Sequence, residues 1–191
     1  MNGFKLESPA LVTPDEIENQ VQEVIEEIKS NNQTHGRDDE TLYAHNKSGV
    51  ILEVGFAKML GARLNRQAHD YLDPETFAWD LETDEYRFEV KPTRGKDTWF
   101  NFNINGATNP SGEQLSRANL TTFLKYTDKV DYLITGWFSE VPDGWLVYPK
   151  WIMKASDFKQ FVRVSNPSAK GTTHFYHVKA AIRAGSCKLL S

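Results

Sequence analysis

The chain has 191 residues, enough for one domain with a sizeable core, and its 39% hydrophobic and 12% aromatic content fits a globular protein. No apolar run approaches a membrane span, and the start "MNGFKLESPA" lacks the apolar stretch of a secretion signal, so a cytoplasmic location without membrane contact is expected. A lone cysteine, Cys187, excludes an internal disulfide and a cysteine-built zinc site, and the net charge of −4 argues superficially against a polyanionic partner.

The distribution of that charge matters more than its sum. Residues 1–30 carry seven acids against two lysines (−5), and residues 31–149 carry eighteen acids against twelve bases (−6). Residues 150–191 carry eight bases against Asp157 alone (+7). Such a basic quarter suits phosphate binding, and equally a surface that offsets the acidic first helix.

In chain order, "TPDEIENQVQEVIEEIKS" predicts a helix with Thr13 as N-cap, Pro14 at its first position and Glu16 closing a capping box. Ile17, Val21, Val24, Ile25 and Ile28 form one apolar face, so residues 1–35 read as a packing arm. After the polar loop "NNQTHGRDDE", a second helix covers "LYAHNKSGVILEVGFAKMLG" and stops at Gly61. Val50, Phe56, Ala57 and Leu60 lie within roughly 60° of Glu53 around that helix. Glu53 thus sits in the middle of an apolar sector, where a carboxylate needs a cation, a proton or hydrogen-bond donors.

The next stretch, "WDLETDEYRFEVKPT", reads as a hairpin. Strand alternation sends Tyr86, Phe88 and Val90 to the core and Arg87, Glu89 and Lys91 to the other face. A turn at Thr83-Asp84 sets Asp80 opposite Arg87 and diagonal to Glu89. "WFNFNIN" alternates likewise, with Phe100, Phe102 and Ile104 inward and Trp99, Asn101, Asn103 and Asn105 outward. Past the turn cluster "NGATNPSG", Ser111 and Gln114 make a capping box that opens a helix through about Tyr126. "DYLITGWF" and "GWLVYPKWI" are strands around "SEVPDG"; "MKASDFKQFV" is a short helix and "HFYHVKAAI" a final strand. The whole predicts a single α/β domain over 1–191, with a mixed central sheet of about four to five strands flanked by helices. Residues 40–150 form its core and residues 150–191 a basic extension.

Hydrolysis of a phosphodiester with a divalent ion needs hard oxygen ligands that leave room for water and a phosphate oxygen. Asp80 and Glu89 on adjacent strands can provide them, the carbonyl of Val90 can add a third, and Glu53 can reach the same cation from its helix. A nearby lysine, Lys91, can stabilise developing charge or position and deprotonate the water. His174 and His177 fall on opposite faces of a strand, and His35 and His45 lack partners at ligand spacing, so histidine metal sites are disfavoured.

Asp80, then eight intervening residues, then Glu89-Val90-Lys91, resembles the motif of the PD-(D/E)xK nuclease superfamily. "SGVILEVGFAKMLGA" is similar to the helix before that motif, with Glu53 at its glutamate position. "DKVDYLITGWF" is similar to the strand after the second core helix, so the resemblance spans roughly residues 46–137. It implies a four-stranded mixed sheet, magnesium-dependent cleavage of DNA with manganese as a substitute, Asp80 and Glu89 as metal ligands and Lys91 as the catalytic lysine. Trp79 stands where the family has proline, and Gln114 is followed by Ala118 where the exonuclease branch has tyrosine, which disfavours that branch. Lys47, Arg87, Arg94, Lys96, Asn101, Asn103 and Arg117 around the site, with Lys150, Lys154, Arg163 and Lys170 in the tail, are the candidate DNA contacts. The alternatives are a nuclease-like module that binds nucleic acid without cutting, and an α/β protein whose acids form ordinary ion pairs. The oligomeric state is open, with a homodimer as one option.

Overall fold

The computed structural model describes residues 6, 9–66, 72–104, 116, 118–165 and 173–190. Helix α1 (Pro14–Ser30) starts at the expected capping box, with the Thr13 N–H donating to Glu16 Oε2 at 2.8 Å, and buries Ile17, Val21 and Ile25. Helix α2 (Asp39–Leu60) begins three residues before the expected Leu42, because the Asp38 carboxylate caps the Thr41 N–H at 2.9 Å. It ends at Gly61, whose φ of 62° is a left-handed conformation open to glycine at little strain. The two helices are joined by Lys58–Glu16 at 2.6 Å, Lys29–Asp39 at 2.7 Å and a Tyr43 hydroxyl donating to Glu18 at 2.8 Å. Of the acids of α1, Glu16 and Glu18 thus find partners on α2.

The principal sheet has seven strands, where four to five were expected. Strands β1 (Ala10–Val12), β7 (Gly144–Lys154), β6 (Tyr132–Val141), β4 (Arg87–Pro92), β3 (Leu81–Glu82) and β2 (Arg63–Leu64) follow in that order, and β10 (Cys187–Leu189) also pairs with β7. Four of these strands have three residues or fewer, too few to show a period of two; tertiary pairing makes them strands. Among the described strands of this sheet only β4–β6 is a parallel pair, so the sheet is mixed as expected. A separate sheet orders β5 (Phe100–Phe102), β9 (Thr173–Tyr176) and β8 (Val162–Ser165).

One face of the main sheet packs α2 and α1 around Val50, Val54, Phe56, Phe88, Val90 and Ile134. Close approach is secured by Gly136 at a register shift in β6, where an added Cβ would lie 2.5 Å from the Tyr148 carbonyl and 2.6 Å from the Phe56 ring. A second core gathers Phe100, Phe102, Phe123, Leu133, Trp151, Phe158 and Tyr176 between the two sheets.

Several expected elements differ. The capping box at Ser111 and Gln114 lies outside the described residues, and the described helix α3 (Thr121–Lys125) is only five residues long. Upstream of it, Asn119 bridges Asn103, so the chain is drawn into an extended path and the helix starts late. The final strand breaks at His177, whose Nδ1 accepts from the Ala180 N–H at 3.2 Å and opens α4 (Val178–Arg183) over the helix-favouring "VKAAIR". The short helix of "MKASDFKQFV" is a 3-10 turn at Phe158–Phe161. No helix among the described residues is long and apolar enough to cross a membrane.

Candidate active site

The site is built where β3 and β4 meet. Thr83 shapes a longer turn than the two residues expected: its Oγ1 accepts from the Tyr86 N–H at 2.9 Å, and its own N–H donates to the Tyr86 carbonyl at 2.9 Å. Glu82 therefore pairs with Arg87, and Leu81 with Phe88. Extended by one residue, this register sets Asp80 beside Glu89, where the shorter turn had set it opposite Arg87. Arg87 instead lies over the Trp79 ring at 4.0 Å and 3.5 Å from Glu82.

Strand alternation holds in β4. Phe88 and Val90 are in the core with α2, and Glu89 and Lys91 project the other way. The Lys91 ammonium contacts Glu89 Oε1 directly and lies 3.8 Å from Asp80 Oδ2. One cation thus touches both carboxylates, which places Asp80, Glu89 and Lys91 together. Asp80 Oδ2 also accepts the Val90 N–H at 2.7 Å, and the Val90 carbonyl accepts from Lys91 Nζ at 3.0 Å.

Burial dominates the electrostatics. Glu89 is 5% exposed; desolvation first, then the charge of Asp80, pushes its carboxyl up to about 8 despite Lys91. Burial works against the charge of Lys91, yet Glu89, Asp80 and Glu53 outweigh it and raise its pKa, so the ammonium stays charged. Glu53 is pushed upward by desolvation and by Asp80. The cation it requires is Arg66, whose Nη2 lies 2.5 Å from Glu53 Oε2 while its Nε donates to Gln20 at 3.0 Å. Arg66 was invisible in the sequence, because it follows α2 by several residues and belongs to no periodic pattern.

The donor set fits a hard divalent cation. Glu89 Oε2 is buried with no hydrogen-bond partner among the described residues, an expensive condition for a carboxylate oxygen, and a metal ion would satisfy it. Thr135 is the residue paired with Lys91 across β6, and its buried Oγ1 is likewise unpartnered. Its only signal in sequence was a hydroxyl amid the apolar "DYLITGWF". Among the described residues no three His, Cys, Asp or Glu side chains form a ready metal cage, so the set is the pair Asp80 and Glu89, with Glu53 turned to Arg66.

The candidate DNA contacts divide. Arg94, Lys96 and Asn101 are exposed on the segment that follows Lys91. Lys47 lies 4.8 Å over the Trp145 ring. Asn103, expected on the outer face, is 1% exposed, because the bridge to Asn119 turns it inward and its Nδ2 donates to the Ser116 carbonyl at 3.1 Å; a phosphate contact is closed to it. Lys150 is 6% exposed and donates to the carbonyls of Arg94 at 2.9 Å and Gly95 at 2.6 Å. It anchors a loop and is not a free tail cation. Arg163 is exposed and folds back on the carbonyls of Gln160 and Val162. Arg117 and Lys170 lie outside the described residues.

A family model described as Bacteriophage T4 endonuclease IV matches residues 4–175, which takes in every described element up to β9 and leaves α4 and β10 beyond it. Comparison with curated proteins gives no match, and neither does comparison with solved structures.

Proposed function

The chain belongs to the bacteriophage T4 endonuclease IV family, and from that premise we propose that it is a magnesium-dependent endonuclease of the PD-(D/E)xK type, hydrolysing phosphodiester bonds in DNA. The observation that carries this reading is the buried trio at β3–β4. Two carboxylates share one ammonium, and Glu89 keeps an oxygen that no donor among the described residues satisfies. In ordinary structural ion pairs, buried carboxylate oxygens are as a rule hydrogen-bonded.

Asp80 and Glu89 hold the cation in this proposal, with the Val90 carbonyl as a further oxygen and manganese able to replace magnesium. A bound magnesium ion supplies Lewis acidity and a water of lowered pKa. Lys91, held protonated by its neighbours, donates to a non-bridging phosphate oxygen and stabilises charge as water attacks and the P–O bond breaks. Arg66 holds Glu53 beside the trio, and Arg94, Lys96 and Asn101 bind the DNA backbone.

Plasmid cleavage with and without magnesium tests the proposal. Asp80→Ala and Glu89→Ala should abolish cutting while DNA binding persists, since each removes negative charge. Lys91→Ala should retain metal binding and lose turnover. Undiminished cleavage in excess chelator, or parental activity in all three variants, refutes it.

A further inference from the structure

We propose that Trp99 and the cleft beside it form a second DNA-binding site, built from other residues than the carboxylate site, which takes a nucleobase turned out of its stack. The proposal rests on DNA being the substrate, as argued above.

Trp99 is 56% exposed, although large aromatic side chains normally bury most of their area. It is also held in place. The Phe175 ring meets it edge-on, with centroids 5.7 Å apart and planes at 89°, which fixes the indole yet leaves area open for stacking. Trp99, Asn101 and Phe175 share one face of the small sheet, since Asn101 pairs with Phe175 and Trp99 stands two residues before Asn101. Thr98 and Trp99 line one side of a cleft whose other side is His177, Val178 and Lys179. His177 and Lys179 are exposed, so an apolar ring lies next to a cation. An aromatic surface beside a lysine fits a base together with its phosphate, because every base has a π-face and the ammonium meets the backbone.

The connection to the catalytic strand is firm. Between Lys91 and Trp99, Asp97 accepts from the Arg94 N–H at 2.9 Å, and Lys150 bonds the carbonyls of Arg94 and Gly95. A Cβ on Gly95 would come within 2.8 Å of the Trp137 indole, so the loop lies flat on β6. A base held at Trp99 would therefore set the position of the strand relative to Lys91.

The test uses the full-length protein and two short oligonucleotides, an oligothymidylate and its counterpart with one central base removed. Binding is measured in chelator and again in calcium. Trp99→Ala should weaken the oligothymidylate by roughly 5- to 150-fold, the loss of one stacked base, and leave the abasic oligonucleotide bound as by the parent. Trp99→Phe should recover much of that loss. Lys179→Gln should weaken both oligonucleotides alike and lower the salt slope by about one unit. Equal affinity of Trp99→Ala and parent for the oligothymidylate overturns the site, as does an equal loss on both oligonucleotides. Because Trp99 is exposed, misfolding of the variant is not expected, and its melting temperature checks this. A parent protein that binds neither oligonucleotide in either condition sinks the DNA reading as well as the site, whereas a binding parent with an unaffected variant sinks the site alone.

Discussion

Lys150→Met separates two roles for a basic residue of the C-terminal quarter. By charge alone Lys150 is a phosphate contact, but in the fold its ammonium is buried against the carbonyls of Arg94 and Gly95 and lies 4.7 Å over the Trp151 ring. Hydrogen bonds to charged groups contribute about 1.5–3 kcal/mol each. Two are lost in the variant together with the ammonium's contact on Trp151, yet Arg94 and Gly95 are exposed, so water can reach their freed carbonyls. The burial penalty of the ammonium, which lowers its pKa, also disappears. The net loss should be about 2 kcal/mol, or roughly 4–8 °C in Tm for a chain of this size. Urea denaturation measures the stability, and DNA affinity across a salt series measures the phosphate contacts. The expected result is a destabilised protein with an unchanged salt slope. A variant of parental stability whose slope falls by one unit would refute the anchoring role and restore the phosphate contact.

Other perturbations follow from the same geometry. Without metal, the folded protein keeps a proton on Glu89 that the unfolded chain has lost, so stability should decline as pH rises from about 4.5 to about 8; urea midpoints in chelator test this, and Glu89→Gln should flatten the trend. Arg66→Met strips Glu53 of its cation and should destabilise by about 2 kcal/mol, more at pH 8 than at pH 5, where the carboxyl can take up a proton; thermal melts at both values decide. Gly136→Ala drives a methyl into the Tyr148 carbonyl and the Phe56 ring and should cost about 3 kcal/mol in chemical denaturation, the high end for overpacking because one neighbour is backbone.

What was legible in the sequence was whatever local periodicity and capping encode. Thr13, Pro14 and Glu16 specify a helix start through contacts three residues apart, and alternation in "YRFEVK" places Glu89 and Lys91 on one face whatever the rest of the chain does. Glu53 stood out because a carboxylate amid Val50, Phe56 and Ala57 needs a partner, but nothing local identified Arg66. Lys150 was misread for a related reason. Charge counts assume that a lysine is solvated, and only the arrival of residues 94 and 95, more than fifty positions earlier, makes it an internal donor. The strands of two and three residues were beyond any periodic reading.

The hairpin register links legibility to function. A two-residue turn would have placed Asp80 against Arg87, a stabilising cross-strand pair. The longer turn that Thr83 builds puts Asp80 beside Glu89, so two acids adjoin on a largely buried patch with Lys91 as the ammonium between them. Like charges side by side destabilise a sheet, and Asp80 adds to the upward push that burial already gives Glu89. A fold selected for stability alone would pair each acid with its own cation, as Glu53 pairs with Arg66 and Glu16 with Lys58. Departures from that rule concentrate where a ligand, absent during folding, completes the charge balance. At Asp80 and Glu89 the missing charge is positive, the free oxygen faces inward and the neighbouring ammonium is already in place, which are the conditions a divalent cation and a phosphate oxygen together would satisfy.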